Sequence, residues 1–221
     1  DNVTIEDLTV KSTSTSGNVA AIKVTALEAI EGEMRLVKNA VIRNVTVSSD
    51  NGHGINLHGT ENAVIDGLTV EKAGKAGISL ANTVNVTIEN TEALSENCSW
   101  GSVAMMFAEG EAYKNPVSIV YGEGNDIDYI YADERNAEGY EGVNSIHFDA
   151  AYAGEIAGDI KEVSVSEGVD VPETFKYAAS VNGAYFTTIN GAIEAANDGD
   201  TVKCAPGTYD ENIVFGDKSI T

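Results

Sequence analysis

Val3-Thr4-Ile5-Glu6-Asp7-Leu8-Thr9-Val10 recurs three more times along the chain, as Ala40-Val41-Ile42-Arg43-Asn44-Val45-Thr46-Val47, Ala63-Val64-Ile65-Asp66-Gly67-Leu68-Thr69-Val70 and Val86-Thr87-Ile88-Glu89-Asn90-Thr91-Glu92-Ala93. The last three copies begin 23 residues apart, at 40, 63 and 86. A period of that length belongs to stacked, quasi-one-dimensional architectures rather than to closed globules. Within each copy the first, third, sixth and eighth positions are mostly apolar, so the alternation of a strand runs, slips by one residue and resumes. Asp7, Asn44, Gly67 and Asn90 occupy the slip. These residue types tolerate a left-handed backbone, which predicts a one-residue αL corner joining two short strands.

A further strand keeps the same period, because Gly54-Ile55-Asn56-Leu57 and Gly77-Ile78-Ser79-Leu80 also lie 23 residues apart. Ala21-Ile22-Lys23-Val24 fits the same slot in the first copy, where an insertion stretches the spacing to 37 residues, from 3 to 40. Each repeat then holds three strands. At about 3.3 Å per strand residue, 23 residues close one turn of a parallel β-helix that stacks on the next turn at about 4.8 Å. The prediction is that Ile5, Ile42, Ile65 and Ile88 form one interior column and that Leu8, Val45, Leu68 and Thr91 form another.

A length of 221 residues supports a sizeable core, and 43% hydrophobic residues with three prolines argue against disorder. The net charge of −22 excludes a nucleic-acid binder that works by neutralising phosphate, and it disfavours polyanionic sugars unless a cation bridges them. Neutral partners fit this charge. No apolar run is long enough to span a membrane. The opening directly into a strand, with no signal peptide, is what a piece trimmed from a longer protein looks like. Of the two cysteines, Cys204 sits at an apolar alternating position and is expected as a buried free thiol. The Asn-Val-Thr and Asn-Cys-Ser sequons at Asn2, Asn44, Asn85 and Asn97 read as αL corners entering strands before they read as glycosylation sites.

The regular repeats cover residues 1–93, and an irregular continuation to 165 includes strand patterns at Val117–Val120, Ile127–Tyr131, Ser145–Phe148 and Val163–Val165. The acidic stretch from Asp126 to Glu141 is expected as exposed turns. Residues 166–183 read as a turn or linker. In 184–221, apolar positions 189, 192, 193 and 196 mark a short helix that starts near Thr188 and stops at Asn197-Asp198-Gly199-Asp200. Strands are expected to follow at Thr201–Ala205 and Asn212–Phe215, around the turn Pro206-Gly207-Thr208-Tyr209.

The run from Thr188-Ile189 through Gly199-Asp200-Thr201-Val202, Ala205-Pro206-Gly207-Thr208-Tyr209, Glu211-Asn212-Ile213 and Lys218-Ser219-Ile220-Thr221 resembles the opening of pectate-lyase-like right-handed β-helix proteins, among them pectin methylesterases and bacterial surface proteins. The resemblance covers about 35 residues. It implies a mainly β chain folded as a right-handed parallel β-helix with a short capping helix, in a bacterial protein that is secreted or displayed on the cell surface. In that family the motif opens the domain, whereas here it comes last, as in one slice of a tandem array.

Gly52-His53-Gly54 is similar to an element of polygalacturonases, but the paired carboxylates that such chemistry needs are missing one repeat earlier, in Gly17-Asn18-Val19-Ala20, and no Arg or Lys stands in Gly77-Ile78-Ser79-Leu80. A turn residue is the simpler reading of His53. His53, Asn56, His58 and Trp100 are the candidate contact residues for a polysaccharide or cell-wall glycan, with the histidines expected on exposed turns. Asp126, Asp128, Asp133 and Glu134 are the candidate ligands for Ca²⁺, since hard cations take clustered oxygens. Pectate lyases pair such a site with an Arg base, yet Arg135 has no lyase motif around it. The catalytic residues of methylesterases come from coils after the opening motif. No Ser-His-Asp pattern, phosphate loop or zinc spacing appears, so no catalytic residue is assigned. The expected function is that of a structural or adhesive module without an active site; the rival is a polysaccharide lyase or hydrolase whose catalytic coils lie partly elsewhere. Strand edges at Val3 and Ile220 suggest end-to-end self-association. Neither nucleic-acid binding nor membrane insertion is expected.

Overall fold

The computed structural model describes residues 1–26, 35–106, 115–133 and 142–221. The chain winds as a right-handed parallel β-helix with three strands in each regular coil. One sheet carries Thr4–Ser12, Val41–Ser49, Val64–Ala73, Val86–Glu89, Ser118–Tyr121, Ser145–Phe148 and Glu162–Val165 side by side and parallel. A six-stranded sheet carries Ala20–Thr25, His53–His58, Ile78–Ala81, Val103–Met106, Tyr129–Ala132 and Glu155–Gly158, also parallel.

In the first three coils the strands of the first sheet bend midway and form two faces. Asp7 (φ 55°), Asn44 (50°), Gly67 (72°) and Asn90 (49°) are all left-handed, so the predicted corner is present in every copy. The side chains stack there as well: Asn44 Nδ2 donates to Asp7 Oδ1 at 3.2 Å, and Asn90 Nδ2 donates to Asp66 Oδ1 at 2.9 Å. Gly67 keeps the column from overcrowding, because a Cβ there would stand 2.9 Å from Asn44 Oδ1. A second left-handed column, Asn2, Asn39, Asn62 and Asn85, precedes the same strands. Asn39 donates to Asn2 Oδ1 (2.9 Å) and Asn85 to Asn62 Oδ1 (3.3 Å). The sequon asparagines Asn2, Asn44 and Asn85 are thus corner residues.

Equal phase in successive coils puts like residues in register, so Ile5, Ile42, Ile65 and Ile88 pair in sequence and continue into Tyr121, Phe148 and Val165. Ile42, Ile65 and Ile88 are fully buried, and Ile5 at the end of the stack is half-buried. In the other column Val45, Leu68 and Thr91 are buried, but Leu8 is 39% exposed because no coil covers the first one. On the facing sheet Ile22, Ile55, Ile78, Val103, Ile130 and Ile156 form a third column.

The register continues beyond residue 93 where the sequence shows no period. Val86, Ile119, Ile146 and Val163 are successive partners, 33, 27 and 17 residues apart (119 − 86, 146 − 119, 163 − 146). Strands Val103–Met106 and Glu155–Gly158 were not anticipated. The acidic stretch is not a set of exposed turns throughout, since Asp126–Ile127 and Tyr129–Ala132 pair in the sheets; its remainder, 134–141, lies outside the described residues.

Residues 166–183 lie against the end of the stack: Phe175 is buried, and Val169 and Val171 pack on the core. Ala179–Val181 and Ala184–Phe186 form a hairpin through the left-handed pair Asn182-Gly183, a two-residue turn that suits the strand twist. The hairpin pairs antiparallel with Glu162–Val165. The helix spans Ile189–Ala195, with Thr188 accepting from the Gly191 N–H at 3.0 Å as its N-cap. Ala192 and Ala196 pack with Ala179, Val181 and Phe186 in a second small core. Two expectations fail in this region. Lys203–Cys204 is a strand but Asn212–Phe215 is not, because no neighbouring strand offers it a ladder. Cys204 is exposed on the outermost strand, while Cys98 is the buried thiol. At the C-terminus Thr221 exchanges backbone bonds with Asp200 and Val202.

The corner geometry sets the effect of substitution. Asn44→Gly is expected to be nearly neutral, whereas Asn44→Val should destabilise by about 1–2 kcal/mol through αL strain. Urea unfolding of the two variants checks this.

Candidate functional site

The outer face of the six-stranded sheet bears a cleft of about 580 Å³ over the coils that contain Val103–Met106 and Tyr129–Ala132. Alternation decides what lines it. Val103, Met105, Ile130 and Ala132 point into the core, so Ala104, Met106, Tyr129, Tyr131 and Asp133 face outward around the cleft. The tyrosine rings lie parallel, 6.5 Å apart with 6° between planes. Tyr129 sits where a side chain of Gly101 would be, since a Cβ there would stand 2.3 Å from its ring. Trp100, 44% exposed, forms the wall at the adjoining corner.

Trp100 is held by residues of two earlier coils. The Lys75 ammonium lies 4.4 Å from the ring centroid, a cation–π contact, and also reaches Asn18 Oδ1 at 3.5 Å. The His53 ring meets Trp100 nearly perpendicular, at 81° and 5.6 Å. His53 is only 7% exposed, which corrects its reading as an exposed turn residue; it opens the strand His53–His58 and is covered by the corners stacked above it. Its Nδ1 is buried without a hydrogen-bond partner. Burial, together with the nearby Lys75 and Lys23 charges, lowers its pKa to about 4.

Of the four candidate contact residues, the structure brings His53 and Trp100 together. Asn56 and His58 lie further along the His53 strand, about 10–17 Å from its start by strand rise, with Asn56 donating to Ser79 Oγ at 3.3 Å. They form no common site with Trp100. Lys75, Tyr129 and Tyr131 were missed. The pattern Tyr129-Ile130-Tyr131 carried a signal, because two aromatics flanking a core isoleucine must share the outer face.

Among the described residues the candidate calcium ligands do not converge. The Asp128 carboxylate accepts from Ser95 N (2.8 Å), Ser95 Oγ (2.6 Å) and Ser102 Oγ (2.5 Å). Partial burial pulls its pKa up, but these bonds outweigh it and hold it below the ordinary value. Asp126 pairs across from Glu92, Asp133 faces the cleft, and Glu134 lies outside the described residues. Among the described residues no three His, Cys, Asp or Glu side chains gather as a metal site.

The structure does bring together one Ser-His-Asp group that the sequence pattern hid. His147 Nδ1 lies 2.8 Å from Ser164 Oγ, and its Nε2 lies 3.1 Å from Asp149 Oδ1 and 3.2 Å from Ser166 Oγ. Acyl transfer would also need free N–H donors for an oxyanion. The N–H groups of Asp149 and Ser166 instead donate to Tyr121 and Phe148 carbonyls, so the group is a polar ladder on an open sheet face.

A family model described as a right handed beta helix region matches residues 1–107 and 29–129, together more than half of the chain. No curated protein and no solved structure matches it. The matched span contains the regular coils, Trp100 and Tyr129, and stops short of the C-terminal run that resembles pectate-lyase-like proteins.

His53 makes stability depend on pH. Its folded pKa of about 4 lies below the ordinary 6.5, so between these values the unfolded chain binds the extra proton and stability falls as pH drops through the window. The gap of roughly 2.5 units corresponds to about 3 kcal/mol. Chemical unfolding at pH 7 and pH 4 should show the wild type losing about that much more than His53→Phe.

Proposed function

The chain belongs to the right-handed β-helix family, and we propose that it serves as a non-catalytic structural or adhesive module of a secreted or cell-surface protein, one that contacts neutral glycan chains through the Trp100–Tyr129–Tyr131 cleft. The observation that carries this reading is the cleft's composition. Three aromatic side chains and the apolar Ala104 and Met106 line it together with a few polar groups, Ser95, Ser99 and the carboxylate of Asp133. Aromatic faces beside a few polar atoms suit sugar rings, which have apolar C–H faces and hydroxyl rims. The net charge of −22 favours neutral chains over polyuronates.

The same composition speaks for binding rather than turnover. Inverting or retaining glycoside hydrolysis needs two carboxyl groups across the bond, and among the described residues one lines this cleft. The secreted or surface placement rests on the likeness of residues 188–221 to pectate-lyase-like proteins.

Affinity electrophoresis in gels containing galactomannan, β-glucan or methyl-esterified pectin tests the proposal. Retention by at least one polymer is expected, weakened about tenfold or more by Trp100→Ala and by Tyr131→Ala. No release of sugar should accompany it. Calcium-dependent release of unsaturated uronides from pectin would instead favour a polysaccharide lyase, and the absence of retention by every polymer would overturn glycan contact.

A further inference from the structure

Trp100 is built from contacts that span three coils, and those contacts are asymmetric. Lys75 covers one face of the indole at 4.4 Å, and His53 abuts it at 81°. The Trp100 N–H donates to the Lys75 carbonyl at 3.4 Å, so the backbone that carries the indole is tied to the residue that covers it. Lys75 is itself tethered toward Asn18. One indole face is thereby covered, while the residue remains 44% exposed and lines the cleft. A surface tryptophan without such support would sample several rotamers and lose entropy on every binding event.

We propose that Lys75 and His53 form an acid-sensitive clamp that presents Trp100 to the cleft, with Lys75 as a positioning residue and His53 as the group whose protonation releases the clamp. This rests on the cleft being the glycan site. The elements packed against His53 are the strand Ala20–Thr25, the corner at Lys75 and Ala76, and the corner at Trp100. The charged groups they turn toward it are Lys23 and Lys75, both cationic. A proton on His53 therefore places a third positive charge in a site that no carboxylate faces among the described residues. Its buried Nδ1 makes no hydrogen bond, and the Ala76 carbonyl, which favours the charged ring, is outweighed by burial and Lys75. The cation is relieved by turning outward to water, which removes the support at Trp100 and separates His53 from Lys75.

Trp100 is the only tryptophan in the chain, so its fluorescence reports the clamp without any ligand. In the wild type, emission and anisotropy should change together as pH falls from 7 to below 4, with the anisotropy dropping as the indole gains motion. His53→Phe keeps an aromatic edge but cannot titrate, and it should abolish this transition. At pH 7, Lys75→Met should lower the anisotropy and weaken retention by the glycan polymer about fivefold, and Lys75→Arg should restore both, as a purely structural lysine would not. Circular dichroism at each pH separates clamp release from unfolding. An unchanged anisotropy in Lys75→Met, no transition in the folded wild type, or the same transition in His53→Phe overturns the clamp. Loss of glycan retention in every gel with the fluorescence transition intact overturns the binding reading and leaves the clamp standing.

Discussion

Everything in this chain depends on the parallel backbone ladder that sets each coil directly on the one before it. Because the ladder holds successive coils about 4.8 Å apart, a residue has as its nearest neighbour the residue of equal phase one coil away, and the core becomes a set of columns. Ile42, Ile65 and Ile88 are buried because each is covered above and below by another member of the same column. Ile5 and Leu8 have the same chemistry and the same phase but lack one neighbour, and their exposure follows. Stability is then approximately a sum of neighbour terms, as in other repeat proteins.

The ladder constrains inward positions and corners and leaves the outer faces free. Corners must turn sharply within a fixed space, which is why two columns of left-handed Asn, Asp and Gly run along the stack. The outer face can vary from coil to coil, from Asn56 and Ser79 to Ala104 and Tyr131, without disturbing the core. The cleft arises from that freedom. Small residues in one coil leave room, aromatic residues in the next supply walls, and corners from two earlier coils fix the tryptophan. A site made in this way belongs to no single repeat.

That origin explains what the sequence disclosed. The regular coils were legible because a strict 23-residue period aligns Ile with Ile and corner with corner, and the left-handed corners followed from residue type alone. The later coils were not legible, since the intervals from Val86 to Ile119, Ile146 and Val163 are unequal although the stacking is the same. Cys204 was misjudged because alternation tells which side a residue faces but not whether anything covers that side. The candidate site was legible only in part. His53 and Trp100 stood out as unusual residues, but Lys75 is an ordinary surface lysine until the stack sets it over the indole. Contacts between coils depend on register, and a sequence of unequal intervals does not state its register.

The stacking account makes residues 63–85 one removable turn, since their deletion joins Asn62 to Val86 in the same phase as Asn85 and sets Ile42 against Ile88. The decisive measurement is the cooperativity and midpoint of urea unfolding for a variant lacking residues 63–85, beside one lacking residues 63–84. The account predicts a sharp unfolding transition with a native β-type spectrum for the first and a transition at lower urea for the second, because its extra residue falls at the left-handed corner of Asn62, where it breaks the asparagine column or slips the strand that follows. Equal folding of the two variants, or equal collapse of both, would contradict it.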